Sequence, residues 1–471
     1  MIPLTLGEAA SAIGAETPAA SAWLTVDRVI TDSREIHAGD LFVAIRGKRF
    51  DGHAFLTEAA RRGAVACLCD FEGASSLEFD GHADAIVPMV VDNTISALGR
   101  LAAYYRREVV SSTTEVIAIT GSNGKTTTKL MLHHLLSASL LGRCAPRSFN
   151  NEIGVPLTLL SAERDDRYLI VEIGTNAPGE VAHLAQMAAP TIGVITSVGE
   201  AHLAGLGDLT TIAAEKASLM DHVASGGLCV VNIESDELAN QMGQPRGCEV
   251  WTVGRTSGAK FAVSEVEGSL LGTTFALSGF GRVHVPLPGS HHAANAAAAM
   301  AVARRLGLLG EDMIRRLRSF VPPAGRAQRV QIGDFTLIDD TYNANPASVG
   351  AAIDSLSLVE QGRRVFVLGD MLELGDASAR LHRTIVRRMV DAKVDLLLTV
   401  GKKARQAAGE VKNEGTDMMI VACEDSESAG DALVSLLQPG DTVWIKASRD
   451  LRLEKIVERV RSSHGERMAV V

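Results

Sequence analysis

Apolar and polar positions follow two rhythms along this 471-residue chain. Short runs rich in Val, Ile, Leu and Ala read as buried strands. Between them lie longer stretches whose apolar residues recur every three or four positions, as one face of a helix requires. Over roughly the first 110 residues, runs at 41–45, 64–69 and 86–91 alternate with helical stretches at 54–62 and 95–107, which predicts a small α/β unit. The polar stretch 108–115, containing Ser111-Ser112-Thr113-Thr114, reads as a linker. Strands predicted at 115–120, 169–173, 192–196 and 228–232 then alternate with helical patterns, as in a parallel sheet covered by helices. Between 260 and 287 the period shifts to two and glycines accumulate, predicting a small antiparallel addition before an alanine-rich helix at 293–305. The cluster Pro322-Pro323-Ala324-Gly325 stops helices and opens a third unit, whose runs at 335–339, 364–368, 396–400, 419–422 and 442–446 keep a βαβ rhythm. The pattern predicts an α/β protein of three domains, 1–111, 112–322 and 323–471. A central, mostly parallel sheet of the P-loop type is flanked by an N-terminal α/β domain and a C-terminal Rossmann-like domain.

Composition narrows the partners. Apolar residues make up 46% and charged residues 22%, so the chain can bury cores throughout its length. A net charge of -10 argues against a nucleic-acid surface, which needs concentrated Lys and Arg. No apolar stretch reaches the length of a membrane span, and Met1-Ile2-Pro3-Leu4 lacks the basic start of a signal peptide. A cytoplasmic monomer without membrane insertion is the expectation. The six cysteines are scattered without metal-ligand spacing and read as reduced thiols.

Chemistry concentrates in Thr120-Gly121-Ser122-Asn123-Gly124-Lys125-Thr126-Thr127, set between a predicted strand and a predicted helix. Gly121 and Gly124 let the backbone approach an anion, the N–H groups of the helix start point at phosphate oxygens, and Lys125 adds positive charge. Thr126 offers a hydroxyl to Mg²⁺. The loop is the short G-x-x-G-K-T form, with Ile119 where the longer pattern has its first glycine. Glu172 interrupts an apolar run at a strand end, where burial is costly unless the carboxylate meets a cation. His202 follows another predicted strand at its ligand-binding end, and Lys216 lies in a helical stretch. Asp339-Asp340-Thr341-Tyr342-Asn343-Ala344-Asn345-Pro346 places a dense polar string after an apolar strand, where open α/β sheets bind ligands. Lys446 to Arg449 and the acidic loop 369–375 are further candidates whose proximity the sequence leaves open.

These segments together resemble the Mur ligases. The resemblance rests on Thr120 to Thr127, Asn150-Asn151-Glu152-Ile153-Gly154-Val155-Pro156, Glu172-Ile173-Gly174, Ala201-His202-Leu203, Asp340 to Pro346 and Gly369-Asp370-Met371-Leu372-Glu373-Leu374-Gly375. Thr31-Asp32-Ser33-Arg34 and Phe50-Asp51-Gly52-His53 look like the family's UDP-sugar domain. The resemblance implies an ATP-dependent ligase in peptidoglycan precursor synthesis. ATP would phosphorylate the terminal carboxylate of UDP-N-acetylmuramoyl-tripeptide, and the amine of D-Ala-D-Ala would displace the phosphate. It further implies that Gly121, Ser122, Asn123, Gly124, Lys125, Thr126 and Thr127 hold the ATP phosphates, with Thr126 and Glu172 on one Mg²⁺ and His202 on a second. Lys216 resembles a lysine that is carbamylated to become a metal ligand. Asn295 matches the adenine contact, Arg326 and Asp340 match phosphate and ribose contacts, and Asn343 and Asn345 receive the dipeptide or close the cleft. Ser33, Asn150 and Asn151 are matched to the UDP-muramoyl substrate. Two departures stand out: Ser218 replaces a frequent glutamate after Lys216, and Lys446-Ala447-Ser448-Arg449 replaces the usual Lys-Gly-Ser-Arg. The alternatives are the sister ligase that adds the third peptide residue, whose Asp-Asn-Pro-Arg signature is absent from the third domain, a folylpolyglutamate synthetase, and a nucleotide-dependent switch that forms no bond.

Overall fold

The computed structural model describes residues 1–47, 50–75, 86–201, 203–243 and 247–464. Near the N-terminus, β1 (Leu4–Thr5) and β2 (Thr25–Val26) make a two-stranded antiparallel pair. A parallel four-stranded sheet follows, β3 (Arg28–Ile30), β4 (Asp40–Val43), β5 (Ala66–Cys69) and β6 (Val87–Val90), ordered as in the chain. Alternation splits its side chains between two cores. Phe42 and Cys67 pack with Leu56 on one face. Leu41, Val43, Leu68 and Met89 on the other face belong to the same buried cluster as Val116, Leu169 and Val171 of the central sheet.

That shared cluster changes the picture of the first junction. The helix Thr94–Tyr104, started by the Asn93 side chain accepting from Ser96 N, packs against the helices Gly154–Leu160 and Glu180–Ala188. Tyr105 Oη donates to the Ala162 carbonyl at 2.7 Å, and Thr114 Oγ1 donates to the Asp166 carbonyl at 2.6 Å. The polar stretch read as a linker is therefore fastened to the central body. At its end the Thr114 hydroxyl satisfies a buried carbonyl, while Ser112 and Thr113 face water.

The central sheet has nine strands: β7 (Glu115–Thr120), β8 (Gly142–Cys144), β9 (Tyr168–Glu172), β10 (Ile192–Ile195), β11 (Leu228–Asn232), β12 (Glu249–Gly254), β13 (Phe261–Ser269), β14 (Gly272–Leu277) and β15 (Gly281–Val285). Their spatial order is β15-β14-β13-β12-β11-β10-β7-β9-β8, parallel from β8 to β13 and antiparallel from β13 to β15. The expected antiparallel addition thus continues the main sheet through β13. The helix His292–Arg305 is buried from His292 to Ala303 and packs on the helix Lys125–Leu136. Its alanines have no bulk to hold neighbours away, so it can be enclosed on several sides.

The third sheet comprises β16 (Gln328–Ile332), β17 (Phe335–Asp340), β18 (Arg364–Gly369), β19 (Leu396–Val400), β20 (Met419–Cys423) and β21 (Thr442–Lys446). The order is β16-β17-β21-β18-β19-β20, parallel except for β16 against β17. Parallel register sets Asp340 beside Lys446 at the carboxyl ends of β17 and β21, where the third sheet meets the central cavity. The mixed α/β architecture with a central parallel sheet is as the apolar pattern predicts. No disulfide joins any of the six cysteines.

Candidate active site

β7 sits where the central sheet's strand order reverses: β8 and β9 lie to one side, β10 to β12 to the other. Such a point opens a crevice at the carboxyl ends of the strands. The chain leaves β7 through Gly121 and enters the helix Lys125–Leu136 after Gly124, with φ of 145° and 83° at the two glycines. A Cβ at Gly121 would lie 2.1 Å from Thr196 Oγ1, and one at Gly124 would lie 2.4 Å from Asn295 Oδ1. Neither position admits a side chain without displacing a neighbour. The loop is tied to the end of β10, since Ser122 N donates to the Ser197 carbonyl and Asn123 N to Ser197 Oγ, each at 2.9 Å. Lys125 Nζ folds back to donate to the Gly121 carbonyl at 2.5 Å. Burial lowers the Lys125 pKa; Glu172 opposes that shift and Arg326 adds to it.

Glu172, at the end of β9, is buried and meets cations and donors. Thr126 Oγ1 donates to its two carboxylate oxygens at 3.1 and 3.0 Å, Asn150 Nδ2 donates at 3.1 Å, and Lys129 Nζ lies at 3.1 Å. Arg326, from the third segment, reaches across to donate to Thr126 Oγ1 at 2.9 Å and to Ser148 Oγ at 3.3 Å. Its guanidinium carbon lies 3.8 Å from the Tyr342 ring centroid. Burial lowers the Arg326 pKa, with Glu172 and the nearby acidic groups acting in the opposite sense.

One cavity of about 980 Å³ collects these groups. Residues 122–127, Asn150, Asn151, Glu172 and Asn295 line it from the central segment, and Arg326, Asp340, Asn343 and Asn345 from the third. Lys446 Nζ donates to Asp340 Oδ2 at 2.7 Å and to the Asn343 carbonyl at 2.9 Å, so the basic group after the last strand is brought to the aspartate string. Asn345 Nδ2 donates to Asn123 Oδ1 at 2.7 Å while its own Oδ1 accepts from Ser348 N at 2.9 Å. It therefore starts the helix Pro346–Leu356 and bridges the third segment to the phosphate loop. Asn151 Oδ1 similarly accepts from Gly154 N at 2.9 Å.

Other candidates fall elsewhere. Ser33 lies in the short turn Ser33–Glu35 and does not line this cavity. His202 lies outside the described residues. Lys216, in the helix Leu209–Ala217, is 1% exposed, and its Nζ has no hydrogen-bond partner among the described residues. Burial lowers its pKa to about 7, helped by the positive charge of Lys125 and opposed by Glu215 and Glu180. It is not among the residues that line the cavity.

Sequence reasoning missed Lys129 and Ser148, and it left His291 and His292 unused. Those two imidazoles meet at the cavity wall with centroids 4.0 Å apart and ring planes tilted by 44°, and burial lowers the pKa of both, His291 to about 4. The one signal for Lys129 was its place a single helical turn after Lys125.

Loop amides with Lys125 and Arg326 can hold a polyphosphate, while Glu172 and Thr126 offer hard oxygens to a divalent cation. Three family descriptions match in chain order: the Mur ligase family catalytic domain at residues 25–106, the Mur ligase middle domain at 119–303, and the Mur ligase glutamate ligase domain at 325–449. The chain belongs to the Mur ligase family. Within that family it is of the MurF type. It is 33% identical to the UDP-N-acetylmuramoyl-tripeptide–D-alanyl-D-alanine ligase of Bacillus subtilis over 91% of this chain and 92% of that protein. A crystal structure of MurF from Acinetobacter baumannii superposes with a TM-score of 0.85 at 30% identity, covering 97% of this chain and 98% of that one. MurF ligase from Thermotoga maritima in complex with ADP gives 0.79 at 28% identity over 92% and 96%.

Proposed function

We propose that this chain is an ATP-dependent peptide ligase that joins D-Ala-D-Ala to UDP-N-acetylmuramoyl-tripeptide, giving the pentapeptide, ADP and phosphate. The observation that carries the reading is the convergence on one cavity of the phosphate loop, Glu172 and the third-segment groups Arg326, Asp340 and Asn343. Near-full-length likeness to a ligase of that name supports the choice of substrates, and the ADP complex of a relative supports the nucleotide.

A carboxylate is a poor acyl donor, so the reaction needs it phosphorylated before the amine attacks. In this reading the loop amides and Lys125 hold the β- and γ-phosphates, and Arg326 neutralises charge on the phosphoryl group in flight. Asp340 and Asn295 hold the nucleoside, while Asn150, Asn151, Asn343 and Asn345 position the peptide substrates and the closing third domain. Ser33 is assigned to the UDP-sugar end, away from the reacting atoms. Bound Mg²⁺ would supply charge neutralisation at the phosphate oxygens, and the adjacent Thr126 hydroxyl and Glu172 carboxylate have the hard-oxygen chemistry to hold it. His202 is assigned to a second cation. Lys216 suits carbamylation, because its buried Nζ has no hydrogen-bond partner among the described residues and its lowered pKa leaves a neutral amine available to CO₂. Stacking on Tyr342 sets the Arg326 guanidinium toward the loop.

The test is phosphate release from ATP with each substrate omitted in turn. Release, with a new pentapeptide product, is expected only when both the tripeptide precursor and D-Ala-D-Ala are present. Turnover without the dipeptide, or with a single amino acid in its place, would overturn the reading.

A further inference from the structure

Lys129 is a buried ammonium that the reading above leaves unused. It lies one helical turn beyond Lys125, is 0% exposed, and pairs at 3.1 Å with a carboxylate that is 1% exposed. Its Nζ also donates to the Arg147 carbonyl, which ties the loop helix to the turn carrying Ser148 and Asn150. Both oxygens of Glu172 are engaged by protein donors: Thr126 Oγ1 and Asn150 Nδ2 on Oε1, Thr126 Oγ1 and Lys129 Nζ on Oε2.

A carboxylate neutralised in this way is a weak site for a free divalent cation, which must displace an existing positive charge while shedding its own water. Among the described residues no group of three or more His, Cys, Asp or Glu side chains could hold a metal ion. Phosphate oxygens, with water, would complete the coordination more strongly than water alone. Resting on the proposed ATP site, we propose that Lys129 is a positioning residue that holds Glu172 neutralised and in place, so that the divalent cation enters with the nucleotide phosphates and not before them. When the cation arrives, the negative phosphates offset the repulsion between it and Lys129, and the Glu172 carboxylate already faces the loop.

The test uses the full chain and Mn²⁺ as the probe, read by electron paramagnetic resonance and by thermal unfolding, with and without ATP. Wild type is expected to bind Mn²⁺ only when ATP is present. The Lys129→Met variant, with Glu172 left unpaired, should bind Mn²⁺ alone at least about tenfold more tightly than wild type, and its unfolding temperature should rise with added Mn²⁺. Lys129→Arg should restore wild-type behaviour. The double variant Lys129→Met with Glu172→Gln should fold and lose the Mn²⁺ response, which separates charge from packing. Tight Mn²⁺ binding by nucleotide-free wild type overturns the proposal whatever the variants do, and so does a folded Lys129→Met protein with unchanged Mn²⁺ affinity. Failure of wild type to bind ATP with Mn²⁺ would instead overturn the nucleotide site itself.

Discussion

Replacing Lys216 by methionine should change how the stability of the chain depends on pH. The amine is buried, its Nζ has no hydrogen-bond partner among the described residues, and its pKa is lowered from 10.5 to about 7, chiefly by burial. A lysine with a depressed folded-state pKa binds fewer protons folded than unfolded. Its penalty on folding is therefore full at and below about pH 7 and fades as the pH rises toward 10.5. Between about pH 7 and about pH 9 most of two pKa units of that penalty are relieved, so wild type should gain about 2 kcal/mol relative to Lys216→Met, at about 1.4 kcal/mol per unit. The assay is denaturant unfolding of both proteins in CO₂-free buffer across that range, read by tryptophan fluorescence and expressed as the difference between them. Subtraction removes the titration of other groups, and methionine keeps the volume without the charge. Added bicarbonate should stabilise wild type and leave the variant unchanged, because only the amine can capture CO₂. Parallel pH profiles for the two proteins would refute the reasoning, since they would mean that Lys216 is solvated and charged in the folded state.

Lys125→Ala should lower turnover by about a hundredfold to a thousandfold while circular dichroism and unfolding temperature stay near wild type; equal activity would remove the loop lysine from the reaction. Gly124→Ala must place a side chain at φ 83° and 2.4 Å from Asn295 Oδ1, where the left-handed backbone alone costs ~1–2 kcal/mol. ATP affinity measured by calorimetry should fall at least about tenfold. Arg326→Ala should reduce kcat/KM for ATP by about a hundredfold and leave the unfolding temperature little changed, because the side chain crosses between segments instead of filling a core; an unchanged kcat/KM would place Arg326 outside the phosphoryl site.

The local pattern sufficed wherever a strand or helix carries its own period. Runs such as Glu115–Thr120 and Leu228–Asn232 announce themselves because both faces are buried, and the glycine loop announces itself because only a strand-to-helix turn needs that spacing. β1, β2, β3, β8, β12 and β16 went unpredicted. They are short or mixed in character, and only the neighbouring strands complete their burial. The antiparallel region was legible as a change of period, yet its continuity with the central sheet depends on β13 pairing with β12, a contact with no local signature.

The site divides along the same line. Sequence could say that Glu172 must meet a cation, because a carboxylate in an apolar run cannot stay buried alone. It could not say that the cation would be Lys129, since that pairing depends on the helix Lys125–Leu136 lying against β9. The Asp340 string and Lys446 were both visible, but a parallel register between β17 and β21 was needed to set them 2.7 Å apart. Arg326 meets Thr126 although the two are 200 positions apart in the chain. Period and turn chemistry are properties of neighbouring residues and so can be read in one dimension. Charge compensation, desolvation and the shared cavity arise only when segments distant in the chain exclude water together, and the tertiary structure alone decides them.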